Sequence, residues 1–244
     1  MSKAAPVIEL EDIAFAYPGG RPVLQGLDFI LRPGERVGII APNGSGKTTL
    51  FHVIMGLIKP SAGRIRFAGR EIREEKDFSI VRRRVGLLFQ DSDDQLFSPT
   101  VLEDVAFGPL NLGKPRREAA AIARRTLEFL GLKGFEERIT FKLSGGEKRL
   151  VSLATVLAME PEVLLLDEPA NGLDVDTRTR LIEVLRGLDM AYVLISHEID
   201  FLTATTQAVY TLKNGRIILD PEPHLHQHVH AHPLGACPHE HDSP

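Results

Sequence analysis

The stretch VGIIAPNGSGKTTL, residues 37–50, constrains this chain more than any other. VGIIA (37–41) is a short apolar run of the kind that forms a strand buried on both faces. A glycine-rich turn follows it and opens a helix. Gly44 and Gly46 let backbone N–H groups turn inward around phosphate oxygens, and the helix N-terminus behind them adds its positive end. From that position Lys47 reaches β and γ phosphates, and the Thr48 hydroxyl is placed to bind Mg2+. Ala41 stands where the phosphate-loop pattern has its first Gly, while Gly46 and Lys47 occupy their expected places.

A second apolar run, VLLLDEP (163–169), complements the first. It ends in Asp167, placed to hold Mg2+ through water, and Glu168, placed to orient or deprotonate an attacking water. A carboxylate at the end of a buried strand is costly unless something pairs with it. A metal and a polarised water supply that partner.

The rest of the chain has three textures. Residues 1–90 read as strand-rich: 7–17 and 23–31 alternate apolar positions around the turn signal YPGGRP, and 63–72 and 85–90 add further strands. Residues 91–160 read as more helical, through 117–132 and 147–160. Residues 161–219 return to strand–helix alternation and finish in AVYTLKNGRIIL, where Asn-Gly predicts a type I′ hairpin turn. Alternating strands and helices predict an α/β sheet. Of the 244 residues, 43% are apolar and 25% charged, an ordinary globular balance. The net charge of -4 implies no general attraction to nucleic acid, and the single Cys237 excludes an internal disulfide framework. No secretory signal is evident at the N-terminus, and no run of about 18 apolar residues predicts a membrane span. The expected location is the cytosol, or the cytoplasmic face of a membrane.

LSGGEKRLVSLATVLAMEPEVLLLDEP (143–169) fixes the class. Together with APNGSGKT at 41–48, Gln90 after a strand, NGLD at 171–174 and His197 after VLIS, it resembles the ATPase subunits of ABC transporters over residues 7 to about 219. The resemblance implies an α/β, ABC-type P-loop nucleotide-binding domain, with an N-terminal antiparallel β subdomain and a helical signature subdomain at about 91–160. The ATPase domain would span 1–219 and a His-rich, disordered tail 220–244.

The family's roles fall on named positions here. Tyr17 matches the aromatic that stacks on adenine. Ala41, Pro42, Asn43, Gly44, Ser45, Gly46, Lys47, Thr48 and Thr49 form the nucleotide-binding stretch, with Thr48, Gln90 and Asp167 around Mg2+. Gln90 also matches the residue that touches the attacking water and begins the lever to the membrane partner. Glu168 matches the catalytic carboxylate and His197 the switch histidine on the γ-phosphate. Ser144, Gly145 and Gly146 match the signature that caps ATP held by the other subunit, and Asp174 the aspartate that crosses the interface. Glu147 stands where many members have Gln. The implied assembly is a homodimer sandwiching two ATP molecules and docked on integral membrane transport subunits.

Two stretches bear on the cargo. FQDSDDQLFSPTVLEDVAFGPLNLG (89–113) resembles the energy-coupling-factor subgroup, importers of vitamins or transition-metal ions, and its Asp91, Asp93 and Asp94 are candidates to pair with basic residues of a membrane subunit. Seven of the nine histidines crowd into residues 224–241. His224, His226, His228, His230 and His232 alternate, and Cys237, His239 and His241 form a second possible group. Neutral imidazoles bind Ni2+, Co2+, Cu2+ and Zn2+. A purification tag usually runs its histidines consecutively; here other residues intervene. Together these stretches favour a cobalt or nickel importer. The alternatives are the same engine in a vitamin importer, a soluble ABC-type ATPase acting on DNA or ribosomes, and a metal-buffering protein whose tail is its function.

Overall fold

The structure, a computed structural model, describes residues 5–219. The tail, with its eight candidate metal ligands and its expected disorder, lies outside the described residues.

Two sheets share one chain. Strands β1 (Ile8–Ala16), β2 (Pro22–Leu31), β4 (Ala62–Phe67) and β5 (Arg70–Ile72) make an antiparallel sheet in the order β2-β1-β4-β5. Strands β3 (Arg36–Ile40), β6 (Val85–Leu88), β7 (Val163–Asp167), β8 (Ala191–Ser196), β9 (Ala208–Lys213) and β10 (Arg216–Leu219) make the second, in the order β10-β9-β3-β8-β7-β6. Every pairing in it is parallel except the β9–β10 hairpin. That hairpin turns at Asn214 and Gly215, both at positive φ (51° and 71°), as a type I′ turn requires.

The apolar runs in the central strands reflect burial on both faces. Along β7, Val163 and Leu165 join the core under the antiparallel sheet, while Leu164 and Leu166 join the core under the helices. In β8, Val193 and Ile195 face one side and Tyr192 and Leu194 the other. This period-two division is what a strand demands, and full burial on both faces removes the polar half of the pattern.

Helix α1 (Lys47–Ile54) fills the space between the sheets, with Leu50, Phe51 and Val53 fully buried. Helices α3 (Val101–Asn111), α4 (Arg116–Phe129) and α5 (Gly145–Leu157) pack on one another in the second core. Helix α6 (Val175–Gly187) and helix α7 (Ile199–Thr205) complete that side. Helix α2 (Glu75–Arg84) leads into β6, held by Phe78 and Val81. Phe78 packs so closely on the end of α1 that a Cβ at Gly56 would lie 2.2 Å from its ring. Among the described residues, no helix is long and apolar enough to cross a membrane.

Candidate functional site

The parallel order brings the carboxyl ends of β3, β7 and β8 side by side, and the site is built on the three loops that leave them. Helix α1 starts after Gly46, whose φ of 98° is open to glycine and whose added Cβ would lie 2.7 Å from Val23. No side chain caps this helix and no acidic residue stands in its first turn. Its positive end is therefore left for an external anion. By contrast α3 and α5 carry full capping boxes, Thr100 with Glu103 and Ser144 with Glu147.

Lys47 is nearly buried, and its Nζ donates to Glu168 Oε1 at 2.6 Å and to Asn43 Oδ1 at 3.3 Å. The other carboxylate oxygen of Glu168 lies 3.0 Å from His197 Nδ1. Glu168 thus sits between a cation from the first loop and an imidazole from the third. Its backbone is in the left-handed region, φ 48°, unusual for a residue with a Cβ. Such a conformation persists only where neighbours enforce it. Here Glu168 N–H donates to Ile195 O at 2.9 Å, and its carbonyl accepts from Asn171 N–H at 3.2 Å and from Arg149 Nη2 at 3.0 Å.

Asp167 is 2% exposed. Its Oδ2 accepts from the Thr48 hydroxyl at 2.8 Å, while Oδ1 is buried with no partner. Burial pushes this carboxyl above the usual carboxylate range, against the pull of the Thr48 hydroxyl and the Lys47 charge. An orphaned buried oxygen costs about 1–3 kcal/mol. A hard cation offered hydroxyl, carboxylate and water oxygens relieves that cost, so the donor set fits Mg2+.

Gln90, Thr48, Asp167 and Gly145 line one groove of about 810 Å³. Tyr17 is 48% exposed; its hydroxyl meets Thr49 Oγ1 at 3.2 Å, which sets it beside the phosphate loop, and its ring and that of Phe15 form a T-shaped pair at 4.9 Å. Ser144 and Gly146 are not drawn into the Lys47–Glu168–His197 cluster. The Ser144 Oγ accepts from Glu147 N–H, and a Cβ at Gly146 would lie 3.0 Å from Thr177 Oγ1. Asp174 caps α6, accepting from Thr177 N–H and Oγ1, and the first of these holds its carboxyl below the ordinary range. Of the acidic loop, Asp93 is paired with Lys148 at 2.6 Å. Sequence reasoning passed over Arg149. Its signal was a charge in helical register with buried Ser152, Leu153 and Val156, which places it on the packed face of α5.

Comparison with known proteins agrees with this geometry. The family model described as ABC transporter matches residues 24–171. The energy-coupling factor transporter ATP-binding protein EcfA of Methanothermobacter thermautotrophicus is 43% identical, covering 89% of this chain and 71% of its own length. The structure of cbiO1 from Clostridium perfringens, described as part of the ABC transporter complex cbiONQ, superposes with a TM-score of 0.79 at 35% identity over 88% of this chain and 87% of that one. The ATP-binding cassette MJ0796, solved as a dimer in a post-hydrolysis state bound to ADP and Pi, gives 0.78 at 26% identity over 86% and 96%. With its phosphate loop, paired carboxylates and signature helix in one fold, the chain belongs to the ABC transporter family, as an ATP-hydrolysing, Mg2+-using cassette related to those of energy-coupling-factor transporters.

Proposed function

We propose that this chain energises import of a transition-metal ion, cobalt or nickel, as the homodimeric ATPase of an energy-coupling-factor transporter on the cytoplasmic face of the cell membrane. The ATPase unit spans 1–219, with its helical part at about 91–160, and 220–244 is a metal-binding appendage. The observation that carries the cargo is the run of alternating histidines at 224–232 behind an engine similar to cbiO1.

In this reading the loop from Ala41 to Thr49 cradles the phosphates and Tyr17 stacks on adenine. Thr48 and Asp167, with Gln90 lining the same groove, would hold Mg2+, which would supply charge neutralisation on the phosphates. Glu168 takes the proton of the attacking water, and His197 donates to the γ-phosphate. Ser144, Gly145 and Gly146 cap ATP bound by a second copy, with Asp174 beside them at the interface. The dimeric MJ0796 bound to ADP and Pi supports that arrangement.

The membrane subunits have a fitting seat. Leu57, Phe97 and Phe107 are exposed, and Phe97 and Phe107 stack edge-to-face at 4.8 Å along a groove of about 380 Å³. Asp94 and Arg82 also line it, with the buried Asp104 holding Phe97 N–H and Ser98 N–H beneath. An amphipathic helix suits such a groove. The metal-buffering reading leaves a complete hydrolytic site without a purpose.

Capture of the chain from detergent-solubilised membranes of its own source tests the cargo. A small integral subunit that places its N-terminal amine and an imidazole on one ion is the expected companion. A vitamin-binding subunit, or several different ones, would overturn the metal assignment and keep the ATPase. The tail is tested separately. Deleting residues 222–244 is expected to leave kcat for ATP within about twofold, because no motif of the site falls there, and to abolish Ni2+ binding in a calorimetric titration. Loss of hydrolysis in a folded truncation would make the tail part of the engine.

A further inference from the structure

Arg149 is 4% exposed and, among the described residues, makes no salt bridge; Asp167, Asp91 and Glu168 act on it only through their charge, and its guanidinium is spent on backbone carbonyls. Nη1 donates to Phe89 O at 2.6 Å, and Nη2 to Gln90 O at 2.6 Å and Glu168 O at 3.0 Å. These carbonyls belong to the two loops that leave the adjacent parallel strands β6 and β7. One planar, permanently charged group therefore joins three things: the helix begun by Ser144, the turn at Gln90 and the strained turn at Glu168. A guanidinium suits this task because its donors lie in a fixed fork. Gln95 ties the same loop to α5 a second time. Its Oε1 accepts from Phe89 N–H, and its Nε2 donates to Ser152 O and Thr155 Oγ1.

We infer that Arg149 is a positioning residue for hydrolysis, setting the backbone turn that presents Glu168 and coupling it to the Gln90 loop and the signature helix. The inference rests on the reading of Glu168 as the catalytic carboxylate. Among the described residues the Glu168 carbonyl accepts from one donor besides Arg149, Asn171 N–H at 3.2 Å, while the Glu168 N–H on Ile195 O holds the other side of the turn at φ 48°. Without the guanidinium the turn relaxes, and the carboxylate leaves the line of attack while Lys47 and the phosphate loop stay in place. Displacement of the Gln90 loop by a docked partner acts on Glu168 through the same group.

Arg149→Met is expected to lower kcat for MgATP hydrolysis by about 30- to 100-fold while KM stays within about twofold. Arg149→Lys keeps the charge but not the fork, and should fall between Met and wild type. Combined with Glu168→Gln, Arg149→Met should still permit the MgATP-bound dimer in a size measurement, since nucleotide contacts are untouched. An unchanged kcat in Arg149→Met, a loss carried by KM, no recovery with Lys, or a double variant that stays monomeric each overturns the proposal. If the Met variant does not fold, Arg149→Gln, with two amide donors, carries the same kcat-against-KM comparison. Turnover retained by Glu168→Gln alone would sink the catalytic reading and this inference with it; failure confined to the Arg149 variants sinks the inference alone.

Discussion

Glu168→Gln is expected to reduce ATP turnover by about 10²–10⁴-fold, the usual worth of a positioned general base, and to leave nucleotide binding intact. The amide keeps the volume and the oxygen that accepts from Lys47, but it cannot take a proton from water. The γ-phosphate then stays in place. If two copies enclose two ATP molecules, the closed dimer accumulates, because its reopening waits on loss of that phosphate. Light scattering of the variant with and without MgATP reads this directly. Dimer with MgATP and monomer without it is the expected pair of results. A variant that stays monomeric while turning over ATP at the wild-type rate removes Glu168 from the chemistry.

How much of this was legible beforehand depends on what each element buries. Strands β3, β7 and β8 show as uninterrupted apolar runs because both their faces are covered. The phosphate loop shows because glycine, lysine and threonine must stand at fixed spacing between a strand and a helix. The helices α2 and α7 did not show. In EKDFSIVRRR only Phe78 and Val81 bury apolar side chains, so the helical stripe is two residues wide. IDFLTAT is short and carries two threonines, which favour strands. Helix α3 contains Pro109 and was noticed only for the family it resembles. In the site, the pairing of Lys47 with Glu168 spans 121 positions. Periodicity has no access to such a pair; only the phosphate chemistry shared by the two motifs, and the family's motif order, bring the two together. Arg149 carried only the faint signal of its register with Leu153 and Val156. On a surface helix an arginine is the ordinary polar-face residue, and only the packing of α5 against the β6 loop turns it inward.

The Lys47–Glu168 pair makes a further prediction that separates stability from binding. Both side chains are shielded, at 9% and 2% exposure, so each depends on the other for compensation. Removing one partner of a buried pair leaves an uncompensated charge and costs about 3–5 kcal/mol. Lys47→Ala is therefore expected to destabilise the nucleotide-free protein by roughly 3 kcal/mol, less whatever His197 returns to Glu168 from 3.0 Å away. Adding Glu168→Gln to Lys47→Ala should recover roughly half of that loss or more, because a neutral amide at the site demands no cation. Nucleotide affinity should not recover. Saturating MgATP stabilises the wild type by about 2.7 kcal/mol at a hundredfold excess over Kd, and both Lys47 variants should lose that increment. Chemical denaturation of the four proteins, with and without MgATP, closes the cycle. Equal destabilisation of the single Lys47→Ala and the double variant would mean that the buried charge is not what the lysine compensates. The pair would then be a consequence of loop geometry, with Glu168 held in place by its backbone contacts and by His197.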